Sequence, residues 1–97
     1  MFNLSTGSNN TAVGRNALYN ITTGGSNIGI GLSSGFLVVA GTANQTSSNS
    51  IYLGNNTRSY DVGNTNEIVI GDSTYGNGSN SVTLGNTSIT KTILNGS

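Results

Sequence analysis

An apolar residue, any residue, a second apolar residue and a glycine recur in this order along the chain. The five copies end at Gly14, Gly31, Gly54, Gly71 and Gly85, with spacings of 17, 23, 17 and 14 residues. In the first copy Thr11 takes the first apolar position. Apolar residues that alternate with period two are typical of β-strands, in which successive side chains point to opposite faces. We therefore predict one short strand in each copy.

Residues that suit tight turns flank every predicted strand. An asparagine stands five residues before the glycine in four copies, and Ser26 takes that place in the other copy. Glycine and asparagine both accept positive φ angles, which sharp corners of the backbone require. The flanking residues therefore predict a corner at each end of each strand.

A strand of four or five residues cannot bury an apolar face alone, but stacked copies can. Stacking at about 4.8 Å per coil pairs each strand with its neighbours and aligns like residues into columns. We predict an all-β chain without significant helix, folded as a parallel β-solenoid, similar to a β-roll or β-helix, with coils of about 14–17 residues. Asparagine ladders are expected along the corners of the stack.

The alternation also predicts which face of each strand is buried. The two apolar residues of each copy share one face, which we expect to be the more buried one. The residue between them points to the other face, which we expect to be less buried. These central residues are Ala12, Gly29, Tyr52, Val69 and Thr83.

The spacing divides the chain, which we take as a single segment, into four parts. Residues 1–31 hold two 17-residue repeats, 32–48 form an insert or transition, 49–85 hold three repeat strands, and 86–97 alternate as an exit strand. The stretch 15–21 is expected to be a second short strand or a turn. The apolar run 36–39 would be costly if exposed, so we expect a strand or a contact between chains.

Composition limits the partners and the size of the core. The 97 residues include three basic and three acidic side chains, and the net charge is zero. No basic patch exists to neutralise phosphates, so nucleic-acid binding is not expected. No apolar run is long enough for a transmembrane helix, so membrane insertion is not expected either. One third of the residues are apolar, too few for a robust core, so we expect neighbouring chains to supply further burial.

The repeats resemble those of known fibre proteins. The stretch "NTAVGRNALYNITTGGSNIGIG" is similar to repeats of phage tail fibres and related bacterial fibres. The stretch "NEIVIGDSTYGNGSNSVTLGNTSITKTILNG" resembles the segment that precedes a C-terminal intramolecular chaperone of the endosialidase type. The unit "DSTYGNGSNSVTLG" is also similar to the coil of trimeric autotransporter adhesin heads.

The resemblance implies a homotrimeric fibre. Its expected role is a structural and adhesive segment that mediates attachment to a host or prey cell surface, located in the virion or on the bacterial cell surface. A second hypothesis is that the segment is the receptor-binding tip, in contact with a surface glycan. A third and remote hypothesis is that the chain is an enzyme that degrades polysaccharides.

Few residues could carry catalysis, and we predict no enzyme, no catalytic residues, no metal site and no cofactor. The chain has no His and no Cys, so no base is present to activate a serine. Asp61 and Glu67 could in principle flank a sugar as paired carboxylates. Glu67, however, takes a position where other copies carry Asn or Ser, which suggests a solvated edge residue.

The best candidates for receptor binding are Arg58, Tyr60 and Tyr75. They lie in irregular loops between the repeat strands. Exposed aromatic rings near an arginine can stack on sugar rings or contact a protein receptor. The alternative is that these tyrosines fill gaps between chains or cap turns.

Overall fold

The computed structural model describes residues 7–96, and these contain five short strands. The strands are β1 (Thr11–Val13), β2 (Ile28–Ile30), β3 (Ile51–Leu53), β4 (Glu67–Ile70) and β5 (Ser81–Leu84). Each strand coincides with one copy of the repeat, so the predicted strand positions are confirmed. Residues 7–96 contain no helix that is long and apolar enough to span a membrane.

The strands form one parallel sheet in the order β1-β2-β3-β4-β5. The register aligns the copies: Ile28 pairs with Ile51, Ile51 with Ile68, and Ile68 with Val82. Parallel neighbours that follow one another in sequence require the chain to complete one turn between strands. The fold of the described residues is therefore an all-β parallel solenoid of about four turns, as predicted.

Two further ladders of backbone hydrogen bonds complete each coil. The second side joins residues 35–39, 57–60 and 74–78, where the Gly35 N–H donates to Thr57 and the Arg58 N–H donates to Thr74. The third side joins residues 22–25, 45–48 and 64–65, with a parallel bridge between Ser48 and Thr65. The stretch 15–21 makes turns, which was one of the two structures expected for it.

Positive φ angles mark the corners at both ends of the strands. The position five residues before each repeat glycine has φ between 53° and 62°, and the repeat glycines have φ between 83° and 138°. Gly54 shows why the glycine is needed: a Cβ there would collide with the backbone of Gly71 in the next coil. Close stacking and left-handed backbone thus both select glycine.

The long 23-residue spacing is an outward excursion within a continuous stack. Leu37 and Ala43 form an antiparallel bridge, and the Val38 N–H donates to Thr42 at 2.9 Å. The run 36–39 forms bridges rather than a regular strand. Val38 is buried, and Phe36 packs edge-on against Tyr19 with ring centroids 5.8 Å apart. The insert 32–48 therefore enlarges one coil and leaves the register of the sheet unchanged.

The burial of the two strand faces is the reverse of our prediction. The central residues of the triplets point into the coil, and Gly29, Tyr52 and Val69 are buried. The apolar pairs point outward, so Ile68 and Ile70 are half-buried while Val82 and Leu84 are exposed. The expectation that the pairs form the more buried face is wrong for the single chain. A coil of 14–17 residues encloses little space, so each triplet directs only its central side chain inward, on the same side as the residue that precedes the triplet, such as Glu67.

The interior of the coil is small and largely polar. Its apolar cluster consists of Leu18, Ile21, Tyr52 and Val69, with Ala12 packed against it. Buried serine, threonine and asparagine side chains fill the remaining space. A buried polar group must be hydrogen-bonded to avoid a large desolvation cost. Much of the stability of the single chain therefore depends on satisfied polar groups.

A largely buried polar ladder joins the starts of β1 to β4, one residue after the corner. The Asn27 N–H donates to Asn10 Oδ1 at 2.9 Å, and the Ser50 N–H donates to Asn27 Oδ1 at 3.1 Å. The Glu67 N–H then donates to Ser50 Oγ at 3.2 Å. At the predicted corner ladder, Asn66 donates to Asn80 at 2.9 Å. The longer ladder therefore lies inside the coil rather than at the corner.

Residues 86–96 follow β5 without forming a strand, so the exit strand predicted for 86–97 is absent from the part that the structure describes. Ile89, Ile93 and Leu94 are exposed there, and Ile89 lies against Gly85. Alternation in this segment predicts which side chains share a face. A strand also needs a neighbouring backbone, and the single chain provides no such pairing here.

Replacement of Tyr52 by phenylalanine is expected to raise the free energy of unfolding by about 1 kcal/mol. Tyr52 is fully buried, and its hydroxyl has no hydrogen-bond partner among the described residues. Phenylalanine keeps the ring that fills the coil and removes the unpaired hydroxyl. Chemical denaturation followed by circular dichroism at fixed protein concentration measures the change. A loss of stability would contradict the environment described for this ring.

Candidate functional site

The outer face of the sheet carries two columns of aligned apolar side chains, which we call the apolar sheet face. One column contains Thr11, Ile28, Ile51, Ile68 and Val82, and the other contains Val13, Ile30, Leu53, Ile70 and Leu84. The parallel register places each residue directly over its counterpart in the next coil. No charged residue interrupts the two columns.

The apolar sheet face is substantially open to solvent in the single chain. Val13, Val82 and Leu84 are each more than half exposed, at 57%, 62% and 51%. The β3 and β4 members of the columns are half-buried. Contiguous exposed apolar surface of this kind marks an interaction site more often than single exposed residues do.

Arg58 and Tyr75 form a stacked pair on the second side of the solenoid. The two residues pair as a parallel bridge, and the Arg58 guanidinium carbon lies 5.1 Å from the centroid of the Tyr75 ring. Arg58 Nε donates to Asn56 Oδ1 at 3.3 Å. Tyr75 and Asn56 are both neutral, so the positive guanidinium is held by a cation–π contact with the ring and by one hydrogen bond.

Tyr60 lies in a separate cleft on the same side. The cleft has a volume of about 270 Å³ and is lined by Val39, Ala40, Tyr60 and Asp61. Two chain segments form its walls, the excursion of the 23-residue coil and the loop after Ser59. The Val39 N–H donates to the Ser59 carbonyl at 2.8 Å, which joins the two walls.

The buried carboxylate of Glu67 holds the loop that carries Tyr60. The Ser59 hydroxyl donates to Oε1 at 2.7 Å, and the N–H groups of Tyr60 and Gly78 donate to Oε2 at 3.1 and 2.9 Å. A Cβ at Gly76 would collide with this carboxylate. The interpretation of Glu67 as a solvated edge residue is therefore wrong, because the side chain is fully buried and crosses the interior.

The three candidate receptor residues therefore divide into two groups. Arg58 and Tyr75 contact each other, and Arg58 covers one face of the Tyr75 ring. Tyr60 instead faces Val39 and Ala40, which were not among the candidates for receptor binding. The signal for Glu67 was present, since it takes the ladder position held by Asn10, Asn27 and Ser50 in the earlier copies.

The two carboxylates considered for catalysis do not share an accessible site. Glu67 is buried and bound to backbone N–H groups, whereas Asp61 is exposed and its Oδ1 accepts the Val62 N–H at 2.7 Å. Residues 7–96 contain no group of three or more His, Cys, Asp or Glu that could hold a metal ion.

Comparisons with family models, with curated proteins and with solved structures each found no match. The apolar sheet face and the second side of the solenoid are therefore the two surfaces that point to a function.

Proposed function

We propose that this chain is a segment of a homotrimeric fibre that mediates attachment to a host or prey cell surface. In this proposal the fibre belongs to a virion, as in a tail fibre, or to a bacterial cell surface. The observation that carries the proposal is the apolar sheet face, where nine of ten aligned side chains are apolar and point away from the chain's own core.

The distribution of apolar residues supports association with copies of the same chain. Among the described residues six apolar side chains are buried, and four of them form the interior cluster, while nine apolar side chains lie outside on one face of the sheet. Burying an exposed Val, Leu or Ile side chain is worth about 1.5–3 kcal/mol. A closed symmetric assembly in which the sheets face a common axis would bury all copies of this face at once.

The repeat resemblance supports three as the number of copies, because the fibres and adhesin heads with similar repeats are trimers. Every strand continues the same two columns, so the contact would run along the length of the solenoid. A stack of parallel coils joined sideways in this way forms a rigid rod, which suits a segment that holds an adhesive surface away from a particle or cell.

Spin labels can test which side of the solenoid meets the other copies. The chain has no native cysteine, so Val82→Cys labels the apolar sheet face and Gln45→Cys labels the third side. We expect dipolar distances between copies to be shorter at Val82 than at Gln45. Distances that are shorter at Gln45, or absent at both positions, would contradict the proposal.

A second candidate function is direct contact with a surface glycan or receptor. The exposure of Tyr60 and Tyr75, at 54% and 42%, favours it, since large aromatic side chains are enriched in binding sites. A glycan array probed with the full chain and with an Arg58→Ala, Tyr60→Ala variant tests this reading. Binding that is lost in the variant supports direct glycan contact. If the full chain binds no glycan on the array, the result supports a passive shaft. No observation favours polysaccharide degradation.

A further inference from the structure

We propose that the cleft between Val39, Ala40, Tyr60 and Asp61 binds one uncharged sugar ring of a surface glycan. This inference depends on the second candidate function above, and it names both the subsite and the class of ligand. It replaces the three-residue site expected from sequence by a smaller site that contains only Tyr60 of that set.

The side chains of the cleft match the two kinds of surface that a sugar presents. The ring of Tyr60 is exposed and offers an apolar face on which the C–H groups of a pyranose can pack. Val39 and Ala40 form an apolar wall on the other segment. Asp61 supplies acceptor oxygens at the edge of the cleft, and sugar hydroxyls are donors.

The charge of the cleft selects against acidic sugars. Asp61 is the one charged residue among the four that line it. The positive group nearest in sequence, Arg58, is directed toward Tyr75 and Asn56 instead. None of the four lining residues is cationic, so the Asp61 carboxylate would repel an anionic sugar without a compensating positive charge. A neutral sugar would meet only acceptors for its hydroxyl groups.

The cleft is preorganised by contacts behind it. Glu67 accepts hydrogen bonds from Ser59 and Tyr60, and Ser59 accepts the N–H of Val39. Both walls are thus tied to one buried carboxylate at the back of the loop. Segments that are already ordered lose less conformational entropy on binding, so even a small ligand can gain useful affinity.

The size and position of the cleft set the expected mode of binding. Its volume is slightly below the roughly 300 Å³ at which pockets for drug-sized ligands begin, so one ring fits. It lies on the second side of the solenoid, which the proposed trimer leaves accessible. Three copies per fibre would then raise a weak single-site affinity by multivalency.

Saturation-transfer NMR with the full chain tests the inference. The probes are the methyl glycosides of glucose, galactose, mannose and N-acetylglucosamine, together with glucuronic acid and N-acetylneuraminic acid. We expect at least one neutral glycoside to bind with a dissociation constant on the order of 1 mM. Tyr60→Ala should weaken that binding by about tenfold or more, because it removes the aromatic anchor.

Val62→Ala is the matched control, because Val62 is also an exposed side chain of the loop that carries Tyr60 but does not line the cleft. It should leave the affinity unchanged. The inference is overturned if none of the neutral glycosides binds, if the Tyr60 and Val62 variants lose binding equally, or if an acidic sugar binds best. Light scattering on the same samples separates this result from the assembly: a trimer without sugar binding rejects the cleft alone, and a monomer that binds sugar rejects only the fibre.

Discussion

Replacement of Glu67 by alanine is expected to lower the free energy of unfolding by about 3–5 kcal/mol, because it leaves several buried donors without partners. The carboxylate accepts the Ser59 hydroxyl and the N–H groups of Tyr60 and Gly78. Its side chain also fills the space beside Gly76. Total stabilities of small domains are only about 5–15 kcal/mol, so most of the protein should be unfolded at moderate denaturant concentrations.

Asp72→Ala is the matched control for Glu67→Ala, because it removes the same charge from an exposed side chain whose bond is to Asn55 at the surface. We expect that variant to change the free energy of unfolding by less than about 1 kcal/mol. Denaturation curves at one protein concentration give both values. Equal effects of the two substitutions would show that Glu67 acts only through its charge and would contradict the interior hydrogen bonds.

Two charges on the apolar sheet face should dissociate the proposed trimer without unfolding the chain. We expect Ile30→Glu with Val82→Glu to raise the dissociation constant by a factor of about a thousand or more, since each copy loses apolar burial and must bury or repel carboxylates. Both side chains are exposed in the single chain, at 42% and 62%. The β-signal in circular dichroism should therefore persist in the variant.

The pair Gln45→Glu and Thr46→Glu adds the same charge on the third side, where both residues are exposed. We expect this control to remain assembled. Sedimentation velocity at matched concentrations compares the two variants. If both stay assembled, or if the control dissociates as readily as the Ile30, Val82 variant, the apolar sheet face is not the contact between copies.

The strands and their stacking could be predicted because the repeat carries both signals locally. Period-two alternation located each strand, and residues such as Asn49 and Gly54 located the corners, where φ is 53° and 125°. Because all five copies share this pattern, like residues were expected to align when the strands paired in parallel. Local patterns sufficed because each coil contacts mainly its neighbours.

The direction of the side chains could not be predicted from the same alternation. A period of two shows that Ile68 and Ile70 share a face opposite to Val69, but it does not show which face closes on the interior. The width of the coil decides this, and of these three residues it admits only Val69. The usual assumption that the more apolar face is buried therefore led to the wrong prediction of which strand face lies inside.

The receptor-binding role of the candidate residues stays a prediction, and the structure shows only where they lie. Irregular loops identified Arg58, Tyr60 and Tyr75 as candidates, and all three lie on the second side of the solenoid. Their division into a stacked pair and a cleft depends on the register between coils. The partners of Tyr60, Val39 and Ala40, come from an insert whose length breaks the repeat, so no spacing rule could place them.

Multi-angle light scattering on the purified full chain at neutral pH measures whether two further copies of the chain cover the apolar sheet face. We expect a single species at three times the chain mass of 9.8 kDa. A folded species with the mass of one chain at micromolar and higher concentrations would contradict it.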